Sequence, residues 1–196
     1  MTVSGITGPT GAGKTTALNE LVRLGGCIYD ADAVYHDLLK HNAALRSELE
    51  ARFGPLTDEN GEFQRKKLGA IVFADPAALA DLNAIAHRYV VDAIKAELER
   101  ARAAGVPCAA IDAIALFESG LDKLCDATLA ITAPPEIRVR RIMAREGISE
   151  EYARSRVAAQ KSDEFFTSHC DHTLINDCAD AAEFAARAKA LFERIL

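Results

Sequence analysis

The chain has 196 residues, of which 49% are hydrophobic and 27% charged, a composition typical of one folded globular domain and unlike that of disordered or fibrous proteins. Its formal net charge of −6 argues against a broad nucleic-acid or anionic-membrane surface, so any basic site must be local. The five cysteines form no CxxC pair, and no apolar run approaches the ~20 residues that a bilayer span needs. We therefore expect a cytoplasmic protein that binds no membrane and no nucleic acid and needs no obligate protein partner.

Short apolar runs alternate with helical patterns along the chain, which predicts parallel strands joined by helical crossovers. The predicted strands cover residues 3–7, 27–29, 107–111, 128–132 and 173–175. The predicted helices cover residues 14–24, 33–39, 43–52, 67–73, 77–104, 136–146, 150–161 and 181–195. Because the strands are apolar almost throughout, we expect an α/β fold with a five-stranded parallel sheet covered on both faces.

Two stretches do not fit the pattern of the core sheet. Residues 30–104 contain no convincing strand and are predicted to form a mainly helical insertion, and residues 147–169 are polar and charged, as in a lid. The core of the single domain is then formed by residues 1–29, 105–146 and 170–196. Insertions of this kind usually shape the substrate side of a nucleotide enzyme.

The segment from Gly8 to Thr15 fits the pattern G-x-x-x-x-G-K-[ST] and lies between a predicted strand and a predicted helix. Its glycines allow successive backbone N–H groups to point at phosphate oxygens, and the helix that follows adds its positive end. Lys14 can reach the β and γ phosphates, and the Thr15 hydroxyl can bind the Mg2+ that bridges them. The loop therefore predicts binding of a nucleoside triphosphate through Gly8, Thr10, Gly11, Ala12, Gly13, Lys14, Thr15 and Thr16.

Carboxylates follow the second and third predicted strands. Ligands of open α/β sheets bind beyond the carboxyl ends of the strands, so Asp30 and Asp32 are expected to face the same crevice as the loop. Asp32 is a candidate base for an attacking hydroxyl, although either aspartate could instead only cap the next helix. Asp112 is a candidate Mg2+ ligand, direct or through water, and a purely structural role is equally open.

Arginines are concentrated between Arg138 and Arg156. Arg141 and Arg145 are four residues apart, so on a helix they share one face and repel each other unless an anion lies between them. A triphosphate would supply that anion, and cations on the transferring phosphoryl group stabilise its developing charge. The alternative is a solvated helix face.

Several segments taken together are far more specific than the loop alone: D-A-D at residues 30–32, R-K-K-L-G at 65–69, L-F-E-S-G-L-D at 116–122 and R-x-x-x-Q at 156–160. With the loop, they resemble the dephospho-coenzyme A kinase family along essentially the whole chain. This resemblance implies a three-layer P-loop kinase fold similar to that of nucleoside monophosphate kinases. It also implies ATP-dependent phosphorylation, with Mg2+, of the ribose 3'-hydroxyl of dephospho-coenzyme A.

The resemblance also implies roles for individual residues. Asp32 corresponds to the base, Lys14 and Arg141 to catalytic cations, with the adjacent Arg140 a competitor for Arg141, and Arg145 to a lid charge that binds ATP. The residues that would border the acceptor substrate are Asp32, Arg65, His87, Phe117, Glu118 and Arg156. Adenine contacts fall on Asn176 or Asp177, and the metal contacts on Thr15 and Asp112.

The chain departs from the family pattern at two positions, where Arg88 and Ile114 stand in place of the usual prolines. An alternative function is a P-loop kinase for another nucleotide or a small hydroxylated metabolite. A GTP-dependent regulatory switch predicts a guanine-reading N-K-x-D tetrapeptide, which does not occur in the chain.

Overall fold

The computed structural model describes residues 1–196 and contains one five-stranded parallel β-sheet. Its strands are β1 (Thr2–Thr7), β2 (Cys27–Asp30), β3 (Cys108–Asp112), β4 (Ala127–Thr132) and β5 (His172–Ile175), in the spatial order β2-β3-β1-β4-β5. Each strand overlaps its predicted counterpart, so the predicted α/β class with a five-stranded parallel sheet is confirmed.

The central strands are buried on both faces. On β1, Val3 and Ile6 are fully buried, and Ile6 is in register with Asp112 of β3 on one side and with Leu129 of β4 on the other. The chain leaves β1 toward the edge that holds β2 and leaves β4 toward the edge that holds β5. The strand order therefore reverses between β1 and β4, and the crevice at the carboxyl ends of such a pair is where open α/β sheets bind ligands.

Residues 1–29 and 100–196 form one compact unit. Its helices are α1 (Lys14–Arg23), α6 (Pro135–Glu146), α7 (Glu150–Ala158), α8 (Asp163–His169) and α9 (Ala181–Ile195), with a 3-10 turn at Leu121–Leu124. One core cluster joins the sheet to α1 and α9 through Leu21, Phe184 and Phe192, each at most 1% exposed. Full burial of a side chain of this size contributes about 1.5–3 kcal/mol to the stability of the fold. The burial of Leu21 therefore holds α1, which begins directly after the loop, against the sheet.

The polar segment after α6 contains one more helix than its sequence predicted. The prediction of one helix over residues 150–161 is wrong at its end, because α7 ends at Ala158 and a separate helix, α8, begins at Asp163. Ser162 caps α8 by accepting a hydrogen bond from the N–H of Phe165 at 3.2 Å, and Phe166 is only 1% exposed. One buried phenylalanine in seven residues gives too weak a periodic signal for a sequence-based prediction.

Residues 30–99 form the second compact unit. It consists of α2 (Ala31–His41), α3 (Ala43–Phe53), α4 (Arg65–Val72) and the portion of α5 (Pro76–Ala103) that ends at residue 99. Its own apolar cluster includes Leu39, Leu45, Leu49 and Leu68, each at most 3% exposed. None of the chain's helices combines the length and the apolarity needed to cross a bilayer.

Candidate active site

The loop between β1 and α1 wraps tightly because three of its glycines, Gly8, Gly11 and Gly13, adopt backbone angles that other residues avoid. Gly8 has φ 140° and Gly13 has φ 103°. A Cβ on Gly8 would lie 2.0 Å from the carbonyl oxygen of Ile131, and one on Gly13 would lie 2.3 Å from Nδ2 of Asn176. Side chains are therefore excluded at both positions, and the loop N–H groups other than those of Thr10 and Ala12, which bond to Gln160 and Pro9, are available to an anion.

The loop encloses a cavity of about 250 Å³ at the carboxyl ends of β1 and β3. Lys14 of the loop donates from Nζ to the carbonyl oxygen of Gly8 at 3.0 Å. The oxygen-bearing side chains at the cavity include the exposed Thr15 and the partly exposed Asp112. The full lining is Pro9, Thr10, Gly11, Ala12, Gly13, Lys14, Thr15, Asp112, Arg141 and Arg145.

Two arginines of α6 face this cavity from one side of the helix. Arg141 donates from Nη1 to the carbonyl oxygen of Gly11 at 3.3 Å and from Nη2 to Oδ1 of Asn176 at 3.0 Å. Burial lowers the pKa of Arg141, and its hydrogen-bond partners are all neutral oxygens. Arg145 pairs with Glu146 at 2.6 Å and is mostly exposed, whereas Arg140 is exposed and does not line the cavity.

Asn176 and Asp177 follow β5 and have different surroundings. Asn176 is 3% exposed, and its Nδ2 donates to the carbonyl oxygen of Ala12 at 2.8 Å while its Oδ1 accepts from Arg141. Asp177 forms an exposed ion pair with Arg187 at 2.8 Å, and the hydrogen bond from that arginine holds the pKa of Asp177 below its usual value. Neither residue lines the cavity.

Arg138 and Gln160 contact the loop, and the sequence pattern does not single out either of them. Arg138 is 3% exposed and donates from Nε to the carbonyl oxygen of Thr10 at 3.1 Å and from Nη2 to Oε1 of Gln160 at 2.6 Å. The only sequence signals were the arginine cluster, which does not separate Arg138 from its neighbours, and the R-x-x-x-Q spacing that ends at Gln160.

The two aspartates at the start of α2 have different environments. Asp30 is the helix cap, because its Oδ1 accepts from the N–H of Asp32 at 2.9 Å and from that of Ala33 at 3.0 Å. Asp32 lies in the first turn of α2, is exposed, and forms no side-chain hydrogen bond or ion pair with the rest of the chain. The capping role left open for either residue therefore belongs to Asp30.

Two further predicted substrate contacts belong to the helical unit of residues 30–99. Arg65 lies 3.2 Å from Nδ1 of His36, and both line a cavity of about 500 Å³ beside the ring of Phe73, which is 83% exposed. His87 on α5 is half-buried, and this burial lowers its pKa.

The last predicted substrate contacts lie in the unit that holds the sheet. The ring of Phe117 lies 5.4 Å from that of His169, centroid to centroid, and Glu118 pairs with Lys161. Arg156 pairs with Glu146, which is also the partner of Arg145. The two arginines hold the pKa of Glu146 below its usual value.

Comparisons with known proteins agree on one family. The profile of the dephospho-CoA kinase family matches residues 2–181. A dephospho-CoA kinase of Corynebacterium diphtheriae is 35% identical over 189 residues, covering 95% of this chain and 94% of that protein. One from Dehalococcoides mccartyi is 36% identical over 179 residues, covering 91% of this chain and 90% of its own length.

Solved structures show the same fold. A crystal structure of a Thermus thermophilus protein superposes with a TM-score of 0.80 and 33% identity, covering 100% of this chain and 98% of the other. A dephospho-CoA kinase from Campylobacter jejuni superposes with a TM-score of 0.70 and 24% identity, covering 98% and 96% of the two chains. The glycine-bounded cavity, its lysine and arginines, and the family match over nearly the full length together lead to one conclusion: the chain belongs to the dephospho-CoA kinase family.

Proposed function

We propose that this protein transfers the γ-phosphoryl group of ATP to the ribose 3'-hydroxyl of dephospho-CoA, giving CoA and ADP in the last step of CoA synthesis. The observation that carries the proposal is the cavity in which the glycine-rich loop, Lys14, Arg141 and Arg145 face one another. A cavity with this excess of cations and backbone donors suits a polyphosphate. Family membership supports the choice of acceptor.

The loop residues 8 and 10–16 are proposed to hold the phosphates of ATP. Lys14 exchanges the carbonyl oxygen of Gly8 for phosphate oxygens, which offer a negatively charged acceptor in place of a neutral one. The adenine is proposed to lie near Asn176 and Asp177 on the turn after β5. The buried position of the Asn176 side chain favours backbone atoms of this turn as the contacts.

The oxygen donors at the cavity fit Mg2+. Thr15 contributes a hydroxyl and Asp112 a carboxylate, and Mg2+ is usually bound by one or two protein oxygens together with phosphates and waters. When bound, Mg2+ neutralises charge on the β and γ phosphates. We propose Thr15 as its direct ligand, and Asp112 as a direct or water-mediated one.

Arg141 and Arg145 are proposed to stabilise the negative charge that develops on the transferring phosphoryl group. Arg141 is the stronger candidate for the catalytic cation, because neutral oxygens hold it against the loop and leave its charge uncompensated. Arg140 is exposed and does not line the cavity, which supports the choice of Arg141 over Arg140 for this role.

Asp32 is proposed as the general base. Its carboxylate accepts the proton of the 3'-hydroxyl as that oxygen forms a bond to the γ phosphorus, and the bond from phosphorus to the bridging oxygen of ADP breaks. A carboxylate already used as a helix cap, as at Asp30, is less suited to this task than the unpartnered Asp32.

The acceptor is proposed to contact Arg65, His87, Phe117, Glu118 and Arg156. Residues 30–104 would form the helical part that receives it, and residues 147–169 a lid that excludes water during transfer. Of the predicted acceptor contacts, Glu118 is paired with Lys161 and Arg156 with Glu146. An acceptor that contacts Glu118 and Arg156 would have to break these ion pairs or bind the atoms of the two side chains that the pairs leave exposed.

The proposal is tested with purified protein, ATP, Mg2+ and dephospho-CoA in an assay that couples ADP release to a spectroscopic signal. The product is identified by phosphorus NMR as a 3'-phosphomonoester, and the variant Lys14→Ala serves as the control for contaminating kinases. We expect turnover that depends on dephospho-CoA. Absence of turnover, with phosphorylation of another nucleotide or a small hydroxylated metabolite, would identify a P-loop kinase with a different acceptor.

A further inference from the structure

Thr10, at the tip of the phosphate-binding loop, has all its polar atoms bound by two side chains from distant parts of the chain. Its N–H donates to Oε1 of Gln160 at 3.1 Å, and its Oγ1 accepts from Nε2 of Gln160 at 2.8 Å. Its carbonyl oxygen accepts from Nε of Arg138 at 3.1 Å.

Gln160 is itself oriented by Arg138. The oxygen of the Gln160 amide accepts from both Thr10 and Nη2 of Arg138, the latter at 2.6 Å, which leaves its nitrogen to face the Thr10 hydroxyl. Arg138 is 3% exposed, and Asp163 lies 3.4 Å from its Nη1. Burial lowers the pKa of Arg138 while Asp163 raises it, and the guanidinium contacts both Gln160 and Asp163.

The contact between Gln160 and Thr10 joins two segments that are far apart in the chain. Gln160 lies between α7 and α8, in the polar segment 147–169, whereas Arg138 lies on the α6 helix that also presents Arg141 to the cavity. Any movement of the α7–α8 segment away from the loop must break the two hydrogen bonds of Gln160 to Thr10. Such a movement would release the loop tip and expose Arg138 at the same time.

We propose that Gln160, oriented by Arg138, is a positioning residue that sets the shape of the phosphate-binding loop through Thr10 and couples that shape to the position of the α7–α8 segment. This inference rests on the proposed function, since it concerns the same loop. The physical reason is preorganisation: backbone donors bind phosphate well only where their directions are fixed in advance. A misplacement of about 1 Å in a reacting group can lower the rate by about 10²-fold.

The test compares Gln160→Met, which keeps the length of the side chain and removes its hydrogen bonds, with Thr10→Val, which removes only the hydroxyl. Thr10→Ser keeps the hydroxyl and is the conservative variant. Arg154→Ala is the matched control, because Arg154 lies on α7 and pairs only with the exposed Glu136 and Glu150. Affinity for MgADP is measured by calorimetry, and kcat and KM are measured for ATP and for dephospho-CoA separately.

We expect Gln160→Met to weaken MgADP binding about tenfold and to lower kcat/KM for ATP by about 10- to 100-fold. Thr10→Val should show a smaller loss, Thr10→Ser should approach the unmodified protein, and Arg154→Ala should match it. In the double variant Gln160→Met/Thr10→Val the losses should not add, because the hydroxyl no longer has a partner once Gln160 is gone.

Nucleotide affinity separates this inference from the proposed function, because it is measured without the acceptor. Loss of nucleotide affinity in Gln160→Met supports the positioning role even where dephospho-CoA proves not to be the acceptor. Unchanged affinity and unchanged kinetics for ATP in this variant would overturn it. Additive losses in the double variant would also overturn it. If Gln160→Met fails to fold, Thr10→Val decides, and unchanged nucleotide affinity and unchanged ATP kinetics in Thr10→Val would then overturn the inference.

Discussion

The guanidinium of Arg141 donates to the side-chain oxygen of Asn176, with 3.0 Å between Nη2 and Oδ1. The amide nitrogen of the same asparagine donates to the carbonyl oxygen of Ala12 at 2.8 Å. One buried side chain from the turn after β5 therefore joins the phosphate-binding loop to helix α6. The asparagine amide and the Ala12 carbonyl carry no net charge. They therefore fix the position of Arg141 without neutralising it, and its positive charge remains available to the phosphate.

Replacement of Asn176 by alanine should therefore lower the rate more than it lowers substrate binding. We expect a loss of about 10- to 100-fold in kcat, since Arg141 loses its orientation. The carbonyl oxygen of Ala12 would also lose a buried donor, at a cost of about 1–3 kcal/mol in the free energy of unfolding. Steady-state kinetics and urea unfolding measure the two effects, with the exposed Lys189→Ala as the control. A variant that loses stability but keeps its kcat would restrict Asn176 to a structural role.

Lys14 should contribute both to binding and to transfer of the phosphoryl group. Its ammonium group donates to the carbonyl oxygen of Gly8, a weaker partner than a phosphate. We expect Lys14→Ala to reduce kcat by about 10²- to 10³-fold, the usual cost of losing one charge-stabilising donor. Calorimetry with MgADP should show weaker binding in the same variant. Normal nucleotide affinity together with normal turnover would contradict the assignment of the loop.

Replacement of the neighbouring aspartates Asp32 and Asp30 should have different effects, on catalysis for Asp32 and on stability for Asp30. Asp32→Asn should lower kcat by about 10²- to 10⁴-fold and leave ATP affinity and the free energy of unfolding nearly unchanged, as expected for a general base without structural contacts. Asp30→Ala removes the cap of α2 and should lower the free energy of unfolding by about 1 kcal/mol. Kinetics and denaturant unfolding of both variants give the answer. A fully active Asp32→Asn would exclude Asp32 as the base.

The sheet and the loop were predictable because they depend on local patterns. Apolar runs separated by helical spacing predicted all five strands, and the glycine and lysine spacing predicted the phosphate-binding loop. The choice between Asp30 and Asp32 as the cap was not predictable, because both precede helical residues and the chain tolerates a helix start at either. In the structure α2 starts at Ala31, directly after the end of β2 at Asp30, and this start makes Asp30 the cap.

The supporting contacts of the site could not be predicted for a different reason. Arg138, Arg140 and Arg141 are three charged residues within one helical turn, and local sequence does not say which of them is buried. Packing of α6 against the loop buries Arg138, places Arg141 at the cavity and leaves Arg140 exposed. The partners that keep these arginines in place, Gln160 and Asn176, come from segments far apart in the chain.

Arg141 and Arg140 should differ in their effect on catalysis although they are adjacent. Arg141→Lys keeps the charge but cannot donate simultaneously to Asn176 and to the loop as the planar guanidinium does, so we expect a loss of about 10- to 10²-fold in kcat. The fold-loss in kcat caused by Arg140→Lys should be at least ten times smaller than the loss caused by Arg141→Lys. The two variants are compared by kcat at saturating ATP and acceptor. Equal losses would contradict the assignment of Arg141 as the catalytic cation.

The half-buried His87 should make stability depend on pH in the acidic range. Burial lowers the pKa of His87 in the folded state below the ordinary value of about 6.5, so between these two pKa values the unfolded chain binds more protons than the folded one. The free energy of unfolding therefore rises with pH in this window, and the stability associated with a neutral His87 is lost as the pH falls below about 6.5. His87→Gln cannot take up a proton, so its stability should fall less between pH 7.5 and pH 5.5 than that of the unmodified protein. Urea unfolding of both proteins at the two pH values isolates the contribution of His87, because the carboxylates titrate in both. Parallel losses in the two proteins would mean that the side chain is protonated as readily in the folded state as in the unfolded one.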